Sequence, residues 1–121
     1  MIVSGIVFIL GGILVAAVSE AAARGRLGIN SVAGIRTRAV MMSDEAWIAG
    51  HRAGRIPMAL AGLVMFLTGA AVLALRPDED TTGPLVLAAA AVAVVLVLIG
   101  AAVATPAAHR AFELADRDEQ R

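Results

Sequence analysis

The sequence contains no cysteine, no tyrosine and no lysine, and its long hydrophobic runs contain no charge. Without cysteine, the chain forms neither a disulfide nor a thiolate metal site. The runs Ile2 to Val18, Ile56 to Leu75 and Leu85 to Val103 include no Asp, Glu, Lys, Arg or His. Because transporters and proton pumps place ionisable residues or broken helices at mid-membrane, a solute pathway within one subunit is not expected.

Apolar residues make up 60% of the 121 residues, which is not typical of a small soluble domain. Each apolar run approaches the roughly 20 residues that a helix needs to cross a hydrocarbon core about 30 Å thick. Helix is the conformation that satisfies backbone groups within lipid. The sequence therefore predicts an all-α fold in one domain, with transmembrane helices over about 2–19, 56–75 and 84–104.

The four prolines lie at the borders of these predicted spans. Pro57 and Pro84 are expected in first helical turns, where a missing N–H is tolerated, and Pro77 and Pro106 are expected after helix ends. The first run has a second interpretation, because Ala21 to Ala23 resembles a signal-peptide cleavage site. The absence of Lys and Arg from residues 1–7 favours a retained membrane anchor.

The arginines predict how the chain is oriented. The second loop has only Arg76, whereas nine arginines lie in the first loop and the tail: Arg24, Arg26, Arg36, Arg38, Arg52, Arg55, Arg110, Arg117 and Arg121. Cytoplasmic loops carry the excess of basic residues. We therefore expect the loop 20–55 and the tail 106–121 in the cytoplasm and the amino terminus outside. An impermeant reagent added to intact cells should not reach the first loop.

Small residues predict close helix packing. They form a stripe in the first span, with Gly11, Gly12, Ala16 and Ala17, and they recur at Gly62 and Gly69 in the second. Small residues let backbones approach where lipid supplies no hydrophobic driving force. The stripes serve either packing within one chain or association with a partner, as a homo-oligomer or within a larger assembly.

The first loop holds most of the polar variety. Gly28 and Gly34 permit unusual backbone angles, and Asn30 and Ser31 can close a turn through side-chain hydrogen bonds. At the edge of the membrane, Glu20 and Arg24 have the spacing of a helix-stabilising ion pair.

A short helix is expected to follow, from an N-cap at Ser43 towards Arg55, with Asp44 and Glu45 complementing its dipole. Its glycines make the helix too unstable to form alone in water, so it should lie docked on the membrane surface or against the spans. We expect an interfacial cytoplasmic helix anchored by Trp47 among the headgroups, with His51 as a plain hydrogen-bonding group.

The loop residues resemble the signature of the SdpI family of bacterial membrane proteins, named for an immunity protein against a sporulation-delaying toxin. The residues that carry the resemblance are Asn30, Gly34, Ile35, Arg36, Thr37, Arg38, Ser43, Asp44, Glu45, Ala46, Trp47, Gly50, His51 and Arg52. Val40 departs from the family pattern, and the additional membrane segments of longer members are missing. The three-span plan around the loop is similar to the family's core unit.

This resemblance implies a role without catalysis or cofactors in the bacterial plasma membrane: protection from a peptide toxin, and capture of a cytoplasmic repressor at the membrane. The site residues that it implies are Asn30, Gly34, Arg36, Thr37, Ser43, Asp44, Trp47, His51 and Arg52. From the residues themselves, Arg36 is expected either to attract anionic headgroups or to pair with Asp44 or Glu45.

Other functions have less support in the sequence. An accessory subunit of a larger membrane assembly would use the small-residue stripes. A lipid enzyme would use Asp44, Glu45 and His51, but these lack a constellation within mutual reach. The two histidines lie on separate segments, so no metal site is expected. The tail is neither long nor strongly basic, so it gives no reason to expect nucleic-acid binding. Membrane lipids and a protein are the expected partners.

Overall fold

The computed structural model describes residues 2–121, which fold into four helices and no strand. The helices are α1 (Ile2–Ala23), α2 (Asp44–Ala53), α3 (Arg55–Leu75) and α4 (Glu79–Glu119). By length and composition, α1, α3 and α4 can each cross a membrane. The predicted all-α fold, with three candidate spans and one short helix, is confirmed.

Helices α1 and α3 lie antiparallel and touch through glycine. A methyl group on Gly12 would lie 2.4 Å from the carbonyl oxygen of Gly62, and one on Gly69 would lie 2.5 Å from that of Gly5. Real side chains do not approach backbone so closely, so only glycine fits at this contact. Close backbone approach is how helices associate in lipid, with Cα–H···O contacts adding to the attraction. These glycines therefore serve packing within one chain.

Helix α4 is longer than expected. At about 1.5 Å per residue, its 41 residues reach about 60 Å, twice the thickness of a hydrocarbon core. The helix begins at Glu79 because the side chain of Asp78 caps it, accepting from the N–H of Thr81 at 2.9 Å. Pro84 therefore lies beyond the first turn, contrary to our expectation.

The tail continues α4 without a break. Pro106 lies inside the helix, so the prediction that a helix ends before it is wrong. A proline inside a helix removes one backbone hydrogen bond and crowds the preceding turn. Packing offsets this cost, because Ala104 and Ala108 on either side of it are fully buried.

Helix α2 packs mainly on this extension of α4. Ala46 and Trp47 of α2 share one buried cluster with Ala104 and Ala108 of α4, and Phe112 packs against that cluster. The short helix is therefore docked on the protein, which is one of the two arrangements that we expected. We call residues 24–53, together with 104–112 of α4, the loop unit; it lies at one end of the three-helix bundle.

The glycine contact makes a testable prediction. Gly12→Ala should push α1 away from α3 and lower the free energy of unfolding by about 1–3 kcal/mol, the usual cost of overpacking. Gly83→Ala is the matched control, because Gly83 lies in α4 and nothing surrounds the position of a new methyl group. That variant should gain up to about 1 kcal/mol from helix propensity. Unfolding in detergent measures both, and equal stabilities would refute the contact.

Candidate functional site

Asn30 closes the turn of the first loop. Its Oδ1 accepts from the N–H groups of Val32 at 2.9 Å and Ala33 at 2.7 Å. Its Nδ2 donates to the carbonyl oxygens of Gly28 at 3.0 Å and Ala33 at 3.1 Å. A side-chain amide supplies both donors and acceptors, which a carboxylate does not. The expected side-chain closure of the loop by Asn30 is thus confirmed.

Gly34 is required by both its backbone angle and its surroundings. Its φ is +102°, a region that L side chains rarely adopt. A methyl group there would also lie 2.8 Å from Cη2 of Trp47 and 2.9 Å from Nε2 of His51. Gly28, for which we expected a similar role, does not have positive φ; Gly25 does, at +74°.

Trp47 is buried in the protein. Its side chain is 1% exposed, and Nε1 donates to the carbonyl oxygen of Leu27 at 2.7 Å. The expectation that its indole anchors α2 among the headgroups is wrong. The loop folds back over α2, leaves room for the ring at Gly34 and supplies a carbonyl acceptor for the indole N–H. A buried indole is stable when its N–H finds such a partner.

His51 joins α2 to the loop with both ring nitrogens. It is fully buried, Nε2 accepts from the N–H of Ile35 at 2.9 Å, and Nδ1 lies 2.8 Å from the carbonyl oxygen of Trp47. These partners assign the neutral tautomer with the proton on Nδ1. Burial lowers the pKa of His51 below its ordinary value. His51 is the hydrogen-bonding group that we expected, and the ring has no lone pair left for a metal or a substrate proton.

Two hydroxyls cap the local turns. Ser43 Oγ accepts from the N–H of Ala46 at 3.1 Å, which confirms Ser43 as the N-cap of α2. Asp44 and Glu45 occupy the exposed first turn, where negative charge complements the helix dipole. Thr37 Oγ1 accepts from the N–H of Val40 at a longer 3.4 Å. These residues shape the loop backbone and leave two carboxylates on its surface.

Two arginines of the loop contact backbone carbonyl oxygens. Arg36 donates to the carbonyl oxygen of Ser31. Within residues 2–121 its guanidinium forms no ion pair with Asp44 or Glu45, so that alternative is wrong. Arg52 Nε donates to the carbonyl oxygen of Ala23 at 3.0 Å, at the carboxyl end of α1. A cation there complements the negative end of the helix dipole.

Glu20 forms the ion pairs at the end of the bundle. Its carboxylate binds Arg24, as the spacing predicted, at 2.9 Å, and also Arg55 at 3.0 Å. All three side chains are at least partly exposed, so these pairs contribute little to stability. They do link the end of α1 to the start of α3.

The predicted site residues form three groups. Gly34, Trp47 and His51 meet in the interior of the loop unit, and Asn30, Thr37, Ser43 and Arg52 fix its turns and helix ends. Arg36 and Asp44 are exposed. The sequence did not reveal the carbonyl partners of Trp47 and Arg52, or the burial of Ser19. Every residue has a backbone carbonyl, so the sequence does not show which carbonyl will accept a hydrogen bond from a side chain.

Acid should weaken the loop unit through His51. Because the pKa of His51 in the folded protein lies below the unfolded value of about 6.5, the unfolded chain binds a proton at a higher pH than the folded protein does. The free energy of unfolding should be at its maximum above about pH 6.5. Below this pH it should fall by up to about 1.4 kcal/mol per pH unit, until the pKa of the folded protein is reached. Unfolding in detergent from pH 8 to 5 measures this slope. His51→Gln should remove the slope and exposed His109→Gln should keep it; a slope that survives in His51→Gln would contradict the assignment.

Comparison with known proteins identifies the family of the chain. The model of the SdpI/YfhL protein family matches residues 26–104, which include most of the first loop, all of α2 and α3, and α4 as far as Ala104. No curated protein and no solved structure matches the chain. The matched region is more than half of the 121 residues. With three helices able to span a bilayer, the chain is a multi-pass membrane protein and belongs to the SdpI/YfhL family.

Proposed function

We propose that this protein is a non-enzymatic interaction platform, acting through its loop unit in toxin immunity or in membrane-linked signalling. One observation carries the proposal: the polar groups of Trp47 and His51 are used inside the protein, whereas charged residues are left on the surface. The exposed charges include Arg38, Asp44 and Glu45. A rigid interior that presents fixed charges suits binding of another macromolecule.

The geometry of His51 argues against acid–base chemistry on lipid. A general acid or base must reach the proton that it transfers. His51 is fully buried, and both its nitrogens face backbone groups of the same chain. Asp44 and Glu45 lie on the exposed first turn of α2, away from that ring's partners. The acids are therefore better suited to binding than to proton transfer.

We infer that the protein lies in the bacterial plasma membrane, with the loop unit and tail in the cytoplasm and the amino terminus outside. Packing of α2 on the tail of α4 puts the first loop and the tail at the same end of the bundle. Nine of the ten arginines belong to these two segments, and basic segments stay inside. A partner of the loop unit would then be a cytoplasmic protein.

Single cysteines in this cysteine-free chain test the orientation. An impermeant maleimide added to intact cells should label Asp80→Cys, in the first turn of α4, and should label Arg38→Cys only after permeabilisation. Both positions are exposed, so reactivity depends on the side of the membrane. Labelling of Arg38→Cys alone in intact cells would overturn the orientation.

The acidic start of α2 is the part of the surface that we assign to the partner. Asp44 and Glu45 lie side by side and exposed, at an end of the helix that Ser43 and the buried Trp47 hold in place. Such a pair attracts a basic surface and contributes to its orientation on approach. The accessory-subunit function and homo-oligomerisation remain predictions, and the glycines of α1 and α3 that suggested them are occupied within one chain.

Cell survival tests the platform. A strain without the gene should lose resistance to a membrane-active peptide toxin, and Asp44→Asn with Glu45→Gln should lower resistance about tenfold, equivalent to about 1.4 kcal/mol of binding. The control is Glu79→Gln with Asp80→Asn, which neutralises the matching first turn of α4. Membrane levels should be equal. Full resistance in the loop variant, or equal loss in the control, would refute the proposal.

A further inference from the structure

A cavity of about 270 Å³ lies where the first loop meets the helices. Leu14, Val18 and Ser19 of α1 form one wall, and Val32 of the loop and Val97 of α4 also line it. Ser19 supplies the single polar side chain among its lining residues. Its volume is about nine times the 30 Å³ share of one liquid water, so a segment of a hydrocarbon chain fits.

The hydroxyl of Ser19 is buried without a partner. The residue is 4% exposed, and Oγ has no hydrogen bond within the described residues 2–121. Hydroxyls inside helices usually bond back to their own helix. Thr68 does so to Val64 at 2.7 Å, and Thr105 does so to Ala101 at 2.9 Å. A buried hydroxyl that lacks such a bond is unfavourable, so a ligand acceptor would stabilise it.

The cavity lies at the depth where a lipid changes from polar to apolar. Glu20, directly after Ser19, is held by Arg24 and Arg55 and marks the start of the charged region. Leu14 lies five residues earlier on α1, about 7.5 Å deeper at 1.5 Å per residue. In a glycerophospholipid the ester carbonyl lies between the headgroup and the acyl chain. Going inwards from the headgroup, the ester carbonyl would therefore lie beside Ser19, and the acyl chain would lie beside the apolar wall.

Arg36 lies beside the loop segment that lines the cavity. Its guanidinium donates to the carbonyl oxygen of Ser31, the residue directly before the lining segment 32–34. A guanidinium has five N–H donors, and this contact uses one of them. The remaining donors suit a phosphate, which binds guanidinium through paired charged hydrogen bonds.

We propose that this cavity is a binding site for one anionic glycerophospholipid. A segment of one acyl chain occupies the apolar wall, the ester carbonyl accepts a hydrogen bond from Ser19 Oγ, and the phosphate accepts from Arg36. The site is separate from the acidic start of α2 that the proposed function uses, so either can fail without the other. It gives Arg36 a ligand that the interior of the protein does not supply.

The single tryptophan reports on this site, because its ring adjoins Gly34 in the cavity wall. Full-length protein in mild detergent is titrated with phosphatidylglycerol brominated on its acyl chain, and quenching of Trp47 fluorescence is followed. Quenching should saturate at one lipid per protein. Brominated phosphatidylcholine, which lacks the net negative charge, should bind about tenfold more weakly.

Variants separate the three contacts. Ser19→Ala should weaken phosphatidylglycerol binding about tenfold, whereas Thr68→Val, which removes a self-bonded hydroxyl, should not. Arg36→Gln should remove the preference for phosphatidylglycerol, and exposed Arg110→Gln should keep it. Val97→Phe should fill the cavity and abolish saturable quenching.

The wild-type titration alone is decisive if a variant fails to fold. Quenching that rises linearly without saturation, or equal affinity for both lipids, would overturn the proposal. Unchanged binding by folded Ser19→Ala would overturn it as well, since the hydroxyl would then make no contact with the lipid.

Discussion

The structure depends on a constraint that every irregular segment beside a membrane must meet: its buried backbone groups need partners that lipid cannot supply. Two side chains of α2 meet this need for the first loop. The indole of Trp47 satisfies the carbonyl of Leu27, and the imidazole of His51 satisfies the N–H of Ile35. Because His51 also bonds to the carbonyl of Trp47, the two residues act as one buried connection between helix and loop.

This connection explains why a ten-residue helix is stable here. Alone, such a helix would be marginal in water. It is held by the loop on one side and by α4 on the other, where Ala104 and Ala108 allow close contact. Arg52 then joins α2 to the carboxyl end of α1. The loop unit is thus tied to two of the three spanning helices, and its surface charges are fixed relative to the bundle.

The spans, the N-cap at Ser43, the Asn30 turn and the Glu20–Arg24 pair could be predicted from the sequence, because each depends on residue type at short spacing. The role of Trp47 could not, because exposed and buried indoles have the same local sequence pattern. The length of α4 was missed because proline is a weak helix boundary once tertiary packing offsets the lost hydrogen bond. The cavity at Ser19 depends on where four separate segments meet, which no spacing along the chain encodes.

The unbroken course of α4 has a mechanical consequence. Its first turn lies at one end of the bundle, and Ala104 and Ala108, which seat α2, lie at the other. Because the helix is continuous between these ends, a change in the tilt of the third span moves the residues on which α2 rests.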